Sequence, residues 1–297
     1  MRLPDPVPGL RLDLPRRSLD LCGRVAVMGI VNRTPDSFYD KGATFELATA
    51  VDHARSLVDE GADIIDVGGV KGGPGSHVDV DEEIRRVVPF IEAVREHDDQ
   101  VLLSVDTFRA PVADAALTAG ADIVNDVTGL HDPALLGVVA AHDAGYVAMH
   151  HGGVPRTRPF RRTYVPDVTT AVIDHCRALT NRALDAGVAA TRLIVDPGHD
   201  FQKTTAHSLE LSRRLDELAA LGFPVLVALS NKDFIGEVLD APIDRRVDGS
   251  LATAVFCTLR GANIVRVHEV ARTVDALRMT ETLLGWRRPS IQVRGLE

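Results

Sequence analysis

Eight short runs of apolar, mostly β-branched residues recur along the chain, with segments of helical periodicity between them, and nothing else in the sequence narrows the fold so far. The runs are RVAVMGIV from Arg24, ADIIDVG from Ala62, VLLSVD from Val101, ADIVND from Ala121, GYVAMH from Gly145, RLIVDPG from Arg192, PVLVALS from Pro224 and NIVRVH from Asn263. They are continuously apolar rather than alternating, as befits parallel strands buried on both faces. The intervening segments, such as ELATAVDHARSLVDEG and SLELSRRLDELAALG, end in a glycine shortly before the next run, which fits a helix C-cap and a short return loop. Strict strand-helix alternation over roughly 250 residues leaves a (β/α)8 TIM barrel or a doubly wound open sheet, and eight units favour the barrel. No Ser/Gly-rich linker, low-complexity tract or longer repeat divides the chain. The expectation is an α/β protein with one barrel domain over residues 24–297. The Pro-rich residues 1–23 form an N-terminal arm or plug over the barrel's N-terminal mouth. Residues 151–168, HGGVPRTRPFRRTYVPDV, read as a long basic loop between a strand and a helix.

Composition removes several classes of function. With 297 residues and 45% apolar content the chain can bury a large core. It holds no run near the roughly 20 apolar residues of a membrane span, and its first twenty residues lack a secretory apolar stretch, so a cytoplasmic protein is expected. Three cysteines, Cys22, Cys176 and Cys257, without a CxxC pair argue against a disulfide framework or structural zinc. A net charge of -9 argues against nucleic-acid and anionic-membrane partners, and 4% aromatic content against stacking platforms for single strands. A small anion stays open, because a few cations in one cleft override the global sign.

The ends of the eight runs are Asn32, Asp66, Asp106, Asn125 with Asp126, His150, Asp196, Ser230 with Lys232, and Arg266 with His268. Leaving the core explains one or two polar residues, but not polar groups at all eight ends, where this fold builds its sites. Asp106, Asn125 and Asp196 are suited to a flat heterocycle rich in N–H groups, and Lys232, Arg266 and His268 to phosphate or pyrophosphate. Lys232 as a Schiff-base lysine is the weaker reading, since Asn231 and Asp233 flank it rather than apolar residues. GHDFQKT from Gly198 lacks the glycine before lysine of a phosphate loop. His150 and His151 lack metal-ligand spacing, whereas a magnesium ion at Asn32, bridging phosphate oxygens, suits that ion's preference for oxygen.

MGIVNRTPDSF, GADIIDVGG, SVDT, VND, DPGHDFQKT, LSNKDFIG and RVHEV stand in order at these strand ends. Together they resemble the signature blocks of dihydropteroate synthase, over nearly the whole of residues 24–286. The resemblance implies a (β/α)8 barrel, a homodimer, and condensation of 6-hydroxymethyl-7,8-dihydropterin pyrophosphate with p-aminobenzoate, with Mg2+ assisting. It places Asp106, Asn125, Asp196 and Lys232 on the pterin edges, Met149 and Phe201 along the pterin slot, Arg266 and His268 on the pyrophosphate, and Asn32 at the magnesium.

The same resemblance exposes departures. Where the family reads Glu-Ser-Thr-Arg-Pro-Gly after the second strand, this chain has Val70, Lys71, Gly72, Gly73, Pro74 and Gly75, losing the threonine and the arginine. The family's Ser-Arg-Lys is Ser230-Asn231-Lys232, losing a second arginine, and His199 and Asp200 replace an apolar residue and a glycine. A hydrogen bond to a charged group contributes roughly 1.5–3 kcal/mol. Losing two arginines and a threonine from the transition state would then cost on the order of 10^3 to 10^5 in rate if the losses add. The expectation is a paralogue with little or no synthase activity, of the kind known from actinobacteria as a second copy, that binds a pterin or pyrophosphate-type small molecule. The alternative is a working synthase in which Lys71, Arg156 or Arg158 replaces the missing arginines.

Overall fold

In the computed structural model, which describes residues 4–34, 45–72, 75, 77–153, 157 and 163–294, the eight runs are all strands. An antiparallel hairpin, β1 (Arg11–Asp13) and β2 (Ser18–Asp20), precedes them. The parallel strands are β3 (Ala26–Asn32), β4 (Ile64–Gly68), β5 (Leu102–Asp106), β6 (Ile123–Asp126), β7 (Gly145–Met149), β8 (Leu193–Asp196), β9 (Leu226–Ala228) and β10 (Ile264–Val267). Their order is β8-β7-β6-β5-β4-β3-β10-β9, and a parallel bridge between Val195 and Val225 joins the two ends into a (β/α)8 barrel.

Alternation along each strand creates two cores from sequences that look uniformly apolar. Val27, Val31, Ile65, Val67, Leu103, Val105, Val195, Val227 and Val265 face outward and belong to one cluster with the helices. Ala26, Met28, Ile64, Leu102, Ile123, Val147, Ile194, Leu226 and Ile264 form a second cluster inside the ring. Leu12, Leu14, Leu19 and Leu21 of the hairpin complete this inner cluster, closing the end where the strands begin. The hairpin therefore supplies the barrel's lower stopper.

The helices are α1 (Leu47–Asp59), α2 (Val80–Arg95), α3 (Ala110–Thr118), α4 (Leu135–Ala141), α5 (Val168–Asp185), α6 (Thr205–Arg213), α7 (Leu215–Ala219), α8 (Asp233–Leu239), α9 (Val247–Thr258) and α10 (Val270–Leu283). Asp79 caps α2 through Glu82 N at 2.7 Å, and Asp167 caps α5 through Thr170 N at 2.8 Å. Gly61 and Gly120, after α1 and α3, take φ of 100° and 113°, which suits glycine alone. The segment SLELSRRLDELAALG, read above as one helix, is divided at Arg214, whose backbone leaves helical geometry (φ −111°, ψ 23°). Among the described residues no helix is long and apolar enough to cross a membrane.

One device occurs twice below the ring. The aspartates of the two GAD triplets stand just before β4 and β6 and accept from a backbone N–H of the preceding strand: Asp63 from Val27 at 3.1 Å, Asp122 from Leu103 at 2.8 Å. Arg24 pairs with Asp63, and Arg95 Nη2 with Asp122 Oδ2 at 2.7 Å, so each buried carboxylate is matched.

Because Leu12 is fully buried inside the ring, Leu12→Ala is expected to destabilise the fold by about 2–5 kcal/mol in urea denaturation. A loss below about 1 kcal/mol would mean that the hairpin lies outside the cooperative core.

Candidate active site

The inward-facing alternation that fills the lower barrel with leucine and isoleucine turns polar at the upper end, around a cavity of about 340 Å3. That volume suits a small molecule. The cavity is lined by Asn32 from β3, Asp106 from β5, Asn125 from β6, Met149 from β7, Asp196 from β8 and Arg266 from β10, with Ser230 and His268 just beyond their strands. Phe201, Lys232 and the loop residues Lys71 and Gly72 complete the walls. The structure thus gathers nearly every residue singled out in the sequence, although they are scattered over more than two hundred positions of chain. Gly73 lies outside the described residues, as do Arg156 and Arg158.

Asn231 is placed differently. Its φ of 56° turns the backbone between β9 and α8, and the side chain is fully buried. Its N–H donates to Ser250 Oγ at 2.9 Å and its carbonyl accepts from Arg246 Nη1 at 3.0 Å, while neither side-chain amide atom has a partner. The side chain points into the protein rather than forming part of the cavity wall.

Arg266 organises the floor. Its Nε donates to Asp66 Oδ2 at 2.6 Å and its Nη2 to Asp106 Oδ2 at 3.2 Å, and Asn125 Nδ2 donates to the same Asp66 oxygen at 3.2 Å. Asp66 is fully buried and pairs in the ladder with Ile30 and Ser104, one layer below Asp106. The sequence listed Asp66 only as a strand end, and its inward register is what makes it a partner of Arg266. Burial, and then the charge of Asp66, push the Asp106 carboxyl well above the usual carboxylate range, with Arg266 pulling against them.

The turn after β8 brings a second group of charges. Gly198 N donates to Asp196 Oδ1 at 2.6 Å, and burial raises Asp196 to about 6 against that bond and the nearby Lys232 and Lys203. Gly198 has φ of 65°, and a Cβ there would stand 2.2 Å from the His150 carbonyl oxygen, so only glycine fits. Lys203, in the segment set aside above as a false phosphate loop, is buried and donates to the carbonyls of His150, Gly198 and Phe201 at 3.0, 2.8 and 3.0 Å. Three acceptors match the three protons of an ammonium group, although burial lowers Lys203 to about 7. This lysine ties the ends of β7 and β8 together and sets Phe201 in the wall. Its role was hidden in the sequence because nothing local marks a lysine as buried.

Lys232 Nζ donates to the His199 carbonyl at 3.0 Å and lies 4.5 Å from the Phe201 ring centroid. His199 packs against Phe234, its Nε2 lies 3.1 Å from Ser212 Oγ, and burial pushes it down to about 3, so it is neutral. Two motif residues serve the frame instead of the cavity. Thr107 Oγ1 and Arg109 Nη1 each donate to buried Glu83 at 2.7 Å. Asp126 accepts from Thr128 N, Leu130 N and Tyr146 Oη at 2.9, 2.6 and 2.9 Å.

Comparison with known proteins agrees with this geometry. Residues 28–268 match the family described as pterin binding enzyme. A protein of Mycobacterium tuberculosis named inactive dihydropteroate synthase 2 is 51% identical over 286 residues, covering 93% of this chain and 90% of the relative. The Yersinia pestis dihydropteroate synthase, solved with a sulfonamide drug complex, superposes with a TM-score of 0.88 at 38% identity, over 93% of this chain and 100% of that one. The Xanthomonas albilineans enzyme in complex with 7,8-dihydropteroate gives 0.81 at 40% identity, over 92% and 98%.

The raised Asp196 has a measurable consequence. Its folded value of about 6 exceeds the ordinary 3.8, so the folded state holds the proton more tightly than the unfolded chain. That contribution is fully present below about pH 4 and is lost as pH rises through 6, by roughly 3 kcal/mol in all. Asp196→Asn keeps an acceptor for Gly198 N but does not titrate. The stability of the native chain relative to this variant, from urea melts, is expected to fall by up to that amount between pH 4 and 7. A difference independent of pH would contradict the assignment.

Proposed function

The chain belongs to the pterin-binding enzyme family, and we propose that within it this protein is a dihydropteroate synthase-like binder with little or no synthase activity. In this reading it keeps a pterin site and a pyrophosphate-type anion site. The observation that supports it is the contrast between the two sides of one cavity. The floor presents Asp106, Asn125, Asp196, Lys232 and Arg266 together, while the loop after β4 offers Lys71 and the bare Gly72. The naming of the mycobacterial relative as inactive agrees.

Asp106, Asn125 and Asp196 would take the N–H edges of a pterin, Lys232 its carbonyl side, and Met149 and Phe201 its faces. Arg266 and His268 would take the anion, with Arg266 meeting it in competition with Asp66 and Asp106. Transition-state stabilisation of a leaving pyrophosphate needs charge aimed at it and not already neutralised. The floor keeps the family's residues while the loop beside it has no arginine, so the site is suited to binding more than to turnover.

Among the described residues no grouping of three His, Cys, Asp or Glu is arranged to hold a metal ion. Asn32 would hold a magnesium ion through its amide oxygen, together with oxygens of a phosphate ligand. The ion would supply charge neutralisation on the phosphates. In the same reading the protein is a homodimer, by resemblance to the family, in a cytoplasmic setting.

The purified protein is expected to release no pyrophosphate from 6-hydroxymethyl-7,8-dihydropterin pyrophosphate and p-aminobenzoate, while calorimetry detects pyrophosphate binding. Turnover within tenfold of an ordinary family member would overturn the reading in favour of a working synthase relying on Lys71, Arg156 or Arg158. Gly72→Thr with Gly73→Arg is expected to bring pyrophosphate release at least tenfold above the wild-type signal or the detection limit. A Cβ at Gly72 would meet only the Phe201 ring, at 3.7 Å, so the threonine fits. Asn231 is left unchanged in this variant, because its side chain is buried away from the cavity.

A further inference from the structure

The proposed function gives no role to Asp200, although this carboxylate lines the cavity beside Lys232. Its φ of 66° lies in the left-handed region, where glycine is at ease and aspartate is tolerated, and the resemblance puts glycine there. The aspartate is held by three donors. Asp200 Oδ2 accepts from the backbone N–H groups of Asp233 and Phe234 at 2.8 and 3.3 Å, and Oδ1 accepts from Ser208 Oγ at 3.1 Å. Burial raises this carboxyl from its ordinary value, while Lys232 and these three donors pull it back toward the ionised form.

The surrounding charges are also committed. Lys232 is directed at the His199 carbonyl and the Phe201 ring, and Asp233 Oδ1 accepts from Arg246 Nη1 at 2.9 Å. At this corner the backbone donors that begin α8 are occupied by a carboxylate of the chain itself. A ligand carboxylate arriving here would face Asp200 across a partly desolvated space, where like charges repel more strongly than in water.

We infer that Asp200 determines the charge specificity of the cavity corner next to Phe201 and Lys232, rejecting an anionic aryl group such as p-aminobenzoate and admitting a neutral arylamine. The inference rests on the reading of the cavity as a pterin site with room for a second ligand.

The test is calorimetric titration of 4-aminobenzoate and 4-aminobenzamide into the full chain and its Asp200→Asn and Asp200→Gly variants, with and without 6-hydroxymethylpterin and pyrophosphate. Glycine suits the backbone at φ of 66°, so Asp200→Gly is expected to fold, and near-native melting of either variant qualifies it. The wild-type chain is expected to bind the amide at least tenfold more tightly than the benzoate. Both variants should gain at least tenfold for the benzoate, with the amide changing less than twofold. A benzoate gain in the variants supports the proposal even if the wild-type chain binds neither compound. No gain in either variant, or an equal gain for the amide, overturns it. Pterin binding measured in the same series separates the two ideas: its absence counts against the pterin reading, while its presence without a benzoate gain counts against Asp200 alone.

Discussion

A closed ring of eight parallel strands places every second residue in an interior that only other inward residues can fill, and this constraint governs both ends of the molecule. At the lower end the inward positions are leucine, isoleucine, valine, alanine and methionine, and the hairpin leucines seal them. At the upper end the same alternation delivers Asp66, Asp106, Asn125, Asp196 and Arg266 into one space, where water is scarce and charges must find partners. Arg266 resolves that demand by bridging Asp66 and Asp106. The cost of burying carboxylates is thereby offset by the same arginine.

The turn after β8 shows how a family scaffold accepts unusual residues. The positive φ at Asp200 and Gln202 is a conformation for which glycine is the natural occupant. Asp200 is held there by accepting from the first N–H groups of α8 and from Ser208, and Tyr164 Oη donates to the Gln202 carbonyl at 3.0 Å. Lys203 then binds three carbonyls of the same turn and of the β7 end. Backbone shape is retained while the electrostatics facing the cavity change, and a change in ligand preference can follow without a change in fold.

Burial shifts the ionisable groups in the directions that desolvation requires: Asp106 and Asp196 upward, His199, Lys203 and Lys232 downward. Asp196, at about 6, and Lys203, at about 7, are thereby brought close to each other, while His199 moves away from neutral pH.

The sequence by itself determined the barrel, because continuous apolar runs in strict alternation with capped helices have few other ways to bury both faces of each strand. It also determined which strand ends carry polar groups, since that is a matter of position along the chain. Tertiary structure alone decided how those groups combine. That Asp66 meets Arg266, that Lys203 is a buried tie, that Asn231 points away from the cavity and that Asp200 occupies the amides of α8 depend on contacts between residues up to two hundred positions apart. No local pattern encodes such contacts, because closure of the ring, and not spacing along the chain, sets the distances.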